Sequence, residues 1–451
     1  MKASVLIYLL PLIAILTCAQ PVEEINYGSP FDLLGESCIT HWAFVDGGTA
    51  DGLNHDPTLA GESPEPAVFN SKLYAIWTEN NGPAFQIRVA VFNGDNGSPA
   101  WTFVDGNGTT GINYDTNEHA WYPFLAVCNN KLYATWSEKP SPNQIRVAVY
   151  NGSDSSPAWT FVDRGLATGI NYDIAEDISS PHHMLAFNGK LYVTWNEYNT
   201  TPAAQQIRVK VYNGTSWAFV DGNPVSENGL NYDNSRGGFE PRLCVFNSKL
   251  YAIWREDNGI AHQVRVAVYN GNDSSPIWTM VDGGTTDGIN YDPGLTVNDP
   301  PWFVVSNSKL YAIWSEYNGS SDNARVAVYN GKDSDPKWIF VDGNAVNGLN
   351  YNTTQDARKP RIAAFNGWIY TAWYELPAPN QARIRAFNGD DANPVWVFIE
   401  GNTDLSFGIN YDNTMSASYP VLIPYNKRLY AIWYEHNGTA NQVRVAVGAC
   451  D

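Results

Sequence analysis

Short apolar runs alternate with polar turns along the chain, and the same runs return over most of its length. "KLYAIWSE" (309–316) is one such run, and "ARVAVYNG" (324–331), with Arg325 near its start, is the next. Asn-Gly, Asp-Gly and Pro bound these runs, as expected for the short strands of antiparallel sheets. Apolar residues fill consecutive positions rather than alternate ones, which indicates strands that are covered on both faces.

The Trp of the first run recurs seven times at intervals of 59 or 60 residues, each time with Glu two places later and Arg in the next run. Seven copies fill the chain from residue 40 to its end, which leaves no room for another domain. The repeated sets are Trp77, Glu79 and Arg88; Trp136, Glu138 and Arg146; Trp195, Glu197 and Arg208; Trp254, Glu256 and Arg265; Trp314, Glu316 and Arg325; Trp373, Glu375 and Arg383; and Trp433, Glu435 and Arg444.

Each copy contains four strand signals. In one copy they are, in chain order, "WTMVDGG" (278–284), "PWFVVSNS" (301–308) and the two runs quoted above, with "GINYD" (288–292) in the loop after "WTMVDGG". We therefore predict an all-β fold, a seven-bladed β-propeller of four-stranded antiparallel blades. A linear solenoid is the alternative, but it needs distinct end caps, which the sequence does not show.

The two ends of the chain predict how the ring closes. "HWAFVDG" (41–47) matches a fourth strand, and "QVRVAVGACD" (442–451) matches a third strand, so pairing them completes the seventh blade and removes open edges. Cys38 and Cys450 lie at this seam and predict a disulfide in an oxidising compartment. Cys128 and Cys244 are expected to be buried free thiols.

The N-terminal residues have the features of a secretory signal peptide. Lys2 precedes the apolar run from Val5 to Leu16, and small residues precede Gln20. We expect a signal peptide over 1–19, an N-terminal extension over 20–37 and a single propeller over 38–451, secreted and without a membrane span. The formal net charge of −19 argues against nucleic acids and anionic membranes as partners. Candidate glycosylation sites are Asn96, Asn107, Asn151, Asn199, Asn213, Asn272, Asn318, Asn352 and Asn437.

In a propeller, the repeated Trp, Glu and Arg lie together at one rim, beside the "GINYD" loop. One interpretation is structural: Glu and Arg form a cross-strand ion pair, and Trp wedges between blades. The other is a set of seven equivalent pockets, in which Arg and Glu bind sugar hydroxyls and Trp offers an apolar platform. The two interpretations are compatible with each other.

Metal and cofactor sites receive little support. Asp282 with Asp292 has the oxygen ligands that Ca²⁺ prefers, but Asn352 and Glu400 break the pattern in later copies. The "GINYD" loop is better interpreted as a staple, with Gly at positive φ, Ile or Leu and Tyr as anchors, and Asn and Asp bonded to backbone. The histidines do not cluster by spacing. We expect no cofactor, with Ca²⁺ as the open alternative.

Several phrases resemble known families. The strand order around "KLYAIW" and "RVAVYNG" resembles kelch and galactose-oxidase propellers, and the turn "NGSDSSPAWT" (151–160) is similar to the Asp-box turns of sialidase propellers, although its glycine is missing. The pairing of a Trp with "IRVAV" is similar to the blades of fucose-binding propeller lectins. This last resemblance implies that Arg, Glu and Trp between blades bind a sugar.

We therefore expect a multivalent, lectin-like carbohydrate-binding propeller that is not an enzyme, with glycans or glycoproteins as partners. A structural or adhesive glycoprotein that self-assembles is the first alternative. A hydrolase or lyase whose site lies among the non-repeated loop residues is the second. Catalysis needs one asymmetric group of acid, base or nucleophile, and the near-identity of the repeats favours the two non-enzymatic hypotheses.

Overall fold

A computed structural model describes residues 39–106, 108–139, 142–163, 169–173, 175–178, 182–201, 203–222, 228–343, 347–401 and 406–449. These ranges contain 28 strands, and nothing in them forms a helix long and apolar enough to cross a membrane. The predicted signal peptide, the extension over 20–37, Asn107, Cys38 and Cys450 lie outside the described residues. The Cys38–Cys450 disulfide therefore stays a prediction.

The strands in chain order are β1 (His41–Phe44), β2 (Gly61–Phe69), β3 (Lys72–Asn80), β4 (Phe85–Phe92), β5 (Trp101–Phe103), β6 (Ala120–Cys128), β7 (Lys131–Glu138), β8 (Gln144–Tyr150), β9 (Trp159–Phe161), β10 (His183–Phe187), β11 (Lys190–Thr200), β12 (Ala203–Tyr212), β13 (Trp217–Phe219), β14 (Gly238–Phe246), β15 (Lys249–Asp257), β16 (His262–Tyr269), β17 (Trp278–Met280), β18 (Trp302–Ser306), β19 (Lys309–Tyr317), β20 (Asp322–Tyr329), β21 (Trp338–Phe340), β22 (Ala357–Phe365), β23 (Trp368–Glu375), β24 (Gln381–Phe387), β25 (Trp396–Phe398), β26 (Ala417–Tyr425), β27 (Arg428–His436) and β28 (Asn441–Ala449).

These strands form seven antiparallel sheets of four strands each. Six sheets are consecutive in sequence, from β2–β5 (blade 1) to β22–β25 (blade 6). Blade 7 has the order β1-β28-β27-β26, with His41 opposite Ala449 and Phe44 opposite Ala446. The seven-bladed propeller and its closure by the two ends of the chain are thus confirmed.

The seam provides a test of this closure. Trp42 in β1 donates its indole N–H to the carbonyl of Ile399 in blade 6 at 2.8 Å. Because Trp42→Ala removes a large, partly buried side chain, we expect it to lower the free energy of unfolding by about 2–3 kcal/mol. Urea unfolding measures this effect. Trp159→Ala, at the equivalent position inside blade 2, is the matched control and should cost a similar amount. No change with Trp42→Ala would contradict a closed ring.

The core lies within and between the blades. Strand β19 is buried at every position except its two ends, as its continuous apolar sequence predicts. Ile289 of the "GINYD" loop is also buried, and Gly288 (φ +58°) lets the loop approach blade 4, because a Cβ there would lie 2.4 Å from the carbonyl oxygen of Val264. Asn290 accepts from the Val264 N–H at 2.8 Å. The predicted roles of Gly, Ile and Asn in the loop staple are confirmed, whereas Tyr291, predicted as an anchor, is 43% exposed.

The turn that resembles an Asp box joins neighbouring blades. Asp154 of blade 2 accepts hydrogen bonds from Lys72 (2.6 Å) and Tyr74 (2.9 Å) of blade 1, and from Tyr150 of its own blade (2.9 Å). Cys128 is buried, as predicted, whereas Cys244, also predicted to be buried, is partly exposed.

The first strands of neighbouring blades lie side by side around the ring, so β2, β6, β10, β14, β18, β22 and β26 surround the central axis. Side chains on these seven strands can therefore meet at the centre although they come from distant parts of the sequence.

Candidate functional site

The repeated Trp, Glu and Arg residues are buried in every blade. Each of the seven Trp side chains is completely buried, and the Glu and Arg residues are at most 4% exposed. Glu316 accepts hydrogen bonds from the Trp314 indole (2.7 Å) and from the backbone N–H groups of Tyr291 (3.0 Å) and Asp292 (2.8 Å). The same three bonds recur at the other six Glu positions.

The carboxylate that pairs with the repeated Arg is not this Glu, so the predicted cross-strand Glu–Arg ion pair is corrected. Arg325 pairs with Asp342, which follows the fourth strand, at 3.0 Å, and both side chains are 2% exposed. Trp314 is the cross-strand neighbour of Arg325. Sequence reasoning considered the Asp of "FVDG" only as a possible Ca²⁺ ligand and missed its pairing with Arg, although both recur with the same period. The equivalent carboxylates are Asp46, Asp105, Asp163, Asp221, Asp282 and Glu400.

This geometry buries the repeated Trp completely, while the repeated Glu256 and Arg265 reach the lining of one small depression in blade 4. The exposed aromatic residue of the rim is the loop Tyr: Tyr291 is 43% exposed, and its ring lies 4.3 Å from the Arg325 guanidinium carbon. The buried Trp314 offers no platform. The structure thus assigns the three repeated residues to holding the loops and blades together.

The structure also bears on the Ca²⁺ alternative and on one of the candidate glycosylation sites. Asp282 pairs with Arg265 at 3.0 Å, and Asp292 accepts from the backbone of its own turn. Within the described ranges, no group of three His, Cys, Asp or Glu residues is placed to hold a metal ion. Asn199 is 3% exposed, so it is not accessible to a glycan as the sequon predicted.

The central axis, in contrast, carries residues that do not repeat. Twelve positions before each repeated Trp, the first strand of the blade contributes one residue, which lies opposite the residue that precedes that Trp. We name these seven residues the axial ring: Glu65, Phe124, His183, Arg242, Trp302, Arg361 and Val421. One carboxylate, one His, two Arg and three apolar residues occupy equivalent places, so the sevenfold symmetry of the fold is lost here.

A β-bulge precedes the axial ring in five blades. The register shifts just before Glu65, Phe124, Arg242, Arg361 and Val421. Two residues before each of these, a residue other than Gly has positive φ: Ser63, Tyr122, Glu240, Lys359 and Tyr419. Bulges and strained backbone are concentrated at functional sites, where they direct side chains. All of these bulge residues except Glu240 line a depression at the axis. Axial-ring residues that include Glu65, Arg242 and Arg361 line it as well.

Charged and aromatic groups contact one another across the axis. Arg361 of blade 6 donates to Glu65 of blade 1 at 3.1 Å. The guanidinium carbons of Arg361 and Arg242 lie 4.1 Å and 4.8 Å from the centre of the Trp302 ring. The indole of Trp302, in blade 5, therefore makes cation–π contacts with two guanidinium groups.

A second carboxylate, Glu240, lies at a bulge position. Its oxygens accept from Arg255 at 2.7 Å and pair with Lys359 at 3.6 Å. Lys359 also contacts Asp299 at 3.0 Å. Glu240 is thus surrounded by cations, whereas Glu65 contacts a cation through one oxygen.

The two carboxyl groups have opposite pKa shifts. Burial raises the pKa of Glu65 above its usual value, despite the opposing charges of Arg361 and Arg242. Burial also acts on Glu240, but Arg255, Lys359 and Arg242 outweigh it and lower the pKa of that carboxyl. Burial lowers the pKa of His183 well below its usual value, so this His is neutral. A protonated and an ionised carboxyl group thus coexist at the axis under mildly acidic conditions.

Comparison with known proteins gives structures of similar architecture. No family model matches the chain, and no curated protein matches it. A protein of unknown function from Dyadobacter fermentans is 10% identical, with a TM-score of 0.47 over 91% of this chain and 98% of that chain. A Trypanosoma rangeli sialidase in complex with sialic acid is 11% identical, with a TM-score of 0.44 over 86% of this chain and 54% of that chain. The GH93 α-L-arabinofuranosidase of Fusarium graminearum in complex with arabinobiose is 13% identical, with a TM-score of 0.43 over 91% and 98%.

These comparisons correct two expectations from the sequence. The neighbours with named activities are sialidases and glycoside hydrolases, so the expectations of a lectin-like function and of a chain that is not an enzyme are wrong. At 10–13% identity the likeness is one of fold, and the resemblance to kelch proteins and fucose-binding lectins is reduced to the propeller architecture. The lectin-like expectation fails for a physical reason, because the Trp, Glu and Arg residues that were expected to bind the sugar are buried.

Proposed function

We propose that this chain is a glycoside hydrolase whose active site is the axial depression. The observation that carries the proposal is a pair of carboxyl groups with opposite pKa shifts near the axis: Glu65 of the axial ring, and Glu240 at the bulge position two residues before Arg242. Glycoside hydrolysis ordinarily uses two carboxyl groups, one protonated and one ionised.

Each carboxyl group has a distinct role in this proposal. Glu65 lines the depression and, in its protonated form, donates its proton to the leaving glycosidic oxygen as the C–O bond breaks. Glu240 lies next to the lining of the depression, where it pairs with Lys359 at 3.6 Å. In its ionised form it accepts a proton from the water that adds to the anomeric carbon. Solvent then returns a proton to Glu65 and removes one from Glu240, so that the enzyme is restored.

Two tyrosines at bulge positions suit a sugar substrate. Tyr122 and Tyr419 line the depression, and Tyr122 is 39% exposed. Tyr419 also stacks between Tyr374 and Tyr434, with ring centres 6.2 Å and 5.6 Å apart. Aromatic rings of this kind combine an apolar face with a polar tip. The predicted signal peptide would bring such an enzyme to extracellular glycans.

The pH dependence of hydrolysis provides a test. Because Glu65 must be protonated, activity should fall as the pH rises through its raised pKa; because Glu240 must be ionised, activity should fall as the pH drops through its lowered pKa. We therefore expect a bell-shaped profile with its optimum in mildly acidic solution. The measurement is the rate of release of p-nitrophenol from a panel of neutral and acidic p-nitrophenyl glycosides. A maximum above pH 8, or no release from any glycoside, would contradict the proposal.

A further inference from the structure

We infer that the axial depression binds the anionic group of an acidic sugar, a carboxylate or a sulfate, with Arg361 as the principal contact. This inference rests on the proposed function for the fate of the sugar, but the binding step does not require turnover.

The hydrogen-bond donors of Arg361 carry the first part of the argument. One terminal nitrogen donates to Glu65 at 3.1 Å, whereas Nε and the other terminal nitrogen are buried and have no hydrogen-bond partner among the residues that the structure describes. Arg361 is only 6% exposed and lines the depression. Buried N–H groups nearly always have a partner, since an unpaired one keeps the full cost of leaving water. A bound acceptor would remove that cost.

The local charge indicates what kind of acceptor would bind. Three cations, Arg242, Lys359 and Arg361, line the depression together with one carboxylate, Glu65. This positive excess contrasts with a formal net charge of −19 for the chain. Burial and the neighbouring Arg361 lower the pKa of Arg242 to about 9, as expected when two guanidinium groups share a dry site. An anion would relieve this repulsion, whereas a neutral hydroxyl would not.

The chemistry of the cations also indicates which anionic group would bind. Lys359 already contacts Asp299 at 3.0 Å and Glu240 at 3.6 Å, so the arginines provide the remaining positive charge. A guanidinium group presents a planar fork of N–H donors that matches two oxygens of a carboxylate or a sulfate. Trp302 lies under both guanidinium groups and restricts their movement.

Binding of small anions tests the inference without any turnover. Wild-type protein is titrated by calorimetry with sodium glucuronate, with glucose as the neutral counterpart, and with sodium sulfate at an ionic strength held constant with sodium chloride. We expect saturable binding of glucuronate, of sulfate or of both, and at least tenfold weaker binding of glucose. The comparison of glucuronate with sulfate identifies which anionic group the site prefers.

Substitution of Arg361 provides the specific control. Arg361→Gln should weaken anion binding roughly tenfold to a hundredfold, the range expected when hydrogen bonds to a charged group are lost. Arg361→Lys keeps the charge without the fork and should weaken binding less, and it remains informative if Arg361→Gln does not fold. Lys332→Gln removes a positive charge at an exposed position and should have no effect. Equal binding of glucose and glucuronate, or anion binding that survives Arg361→Gln, would overturn the inference.

Hydrolysis assays separate failure of this inference from failure of the proposed function. If glucuronate binds through Arg361 but no glycoside is cleaved, the inference holds and the proposed function fails. If neutral glycosides are cleaved at the axial site and anions neither bind nor inhibit, the proposed function holds and the inference is overturned.

Discussion

Glu65→Gln is expected to lower the rate of glycoside hydrolysis by about 10²–10⁴-fold, the usual contribution of a general acid. Gln has nearly the shape of a protonated Glu and can still accept the hydrogen bond of Arg361, but it has no proton to give to the leaving oxygen. The protein should therefore stay folded while its activity is lost. Initial rates on the best p-nitrophenyl glycoside, with circular dichroism as a check on the fold, measure this effect.

Glu62→Gln is the matched control for this substitution. Glu62 lies in the same strand, three residues earlier, and accepts a hydrogen bond from Asn441 at 2.9 Å, which a Gln oxygen can also do. Since Glu62 neither lines the depression nor takes part in the proposed proton transfers, we expect the rate to remain within about twofold of wild type, because a change on the order of 0.4 kcal/mol is a factor of about two. Equal rates for wild type and Glu65→Gln would exclude Glu65 as the acid.

The fold was predictable from the sequence because a physical period repeats in it. Trp314 and its six counterparts recur with almost constant spacing, and each copy has to bury two faces of the same four strands. The closure of the ring followed from the incomplete copies at the two ends, which β1 and β28 confirm. Antiparallel pairing leaves little freedom once strand lengths and turns are known.

The role of the repeated residues was harder to predict, because spacing does not show which side chains meet. Glu316 and Arg325 are on adjacent strands, which made an ion pair between them attractive. In the structure, Glu316 turns toward the preceding loop, and Arg325 turns toward Asp342 after the fourth strand. Burial of the whole set also depends on the packing of neighbouring blades, which no single repeat reveals.

The axial site was missed because its residues are conspicuous only after alignment by register. Glu65, Arg242 and Arg361 are ordinary residues when they are considered one at a time. Each occupies the position twelve residues before the repeated Trp. The sequence did contain a signal, because the residue type at this position differs from blade to blade whereas the Trp does not. Propeller topology then brings them together at the axis, a juxtaposition that no single repeat reveals.

The buried Arg325–Asp342 pair provides the stability prediction with the largest expected effect. Removing one member of a buried ion pair leaves an uncompensated charge, which typically costs about 3–5 kcal/mol. We expect a loss of this size from Arg325→Met, because both side chains are 2% exposed and the pair joins the third strand of blade 5 to the segment after the fourth. Urea unfolding at pH 7 measures the change.

A double mutant and an exposed ion pair serve as the controls for Arg325→Met. Adding Asp342→Leu to Arg325→Met should recover a large part of the lost stability, since the charge left alone is then removed as well. Lys72 pairs with Asp154 on the outside of the ring, where the Lys side chain is 52% exposed, so Lys72→Met should cost no more than about 1 kcal/mol. If Arg325→Met were no more costly than Lys72→Met, the repeated Arg would not be a structural residue, and a role for it outside the fold would have to be sought.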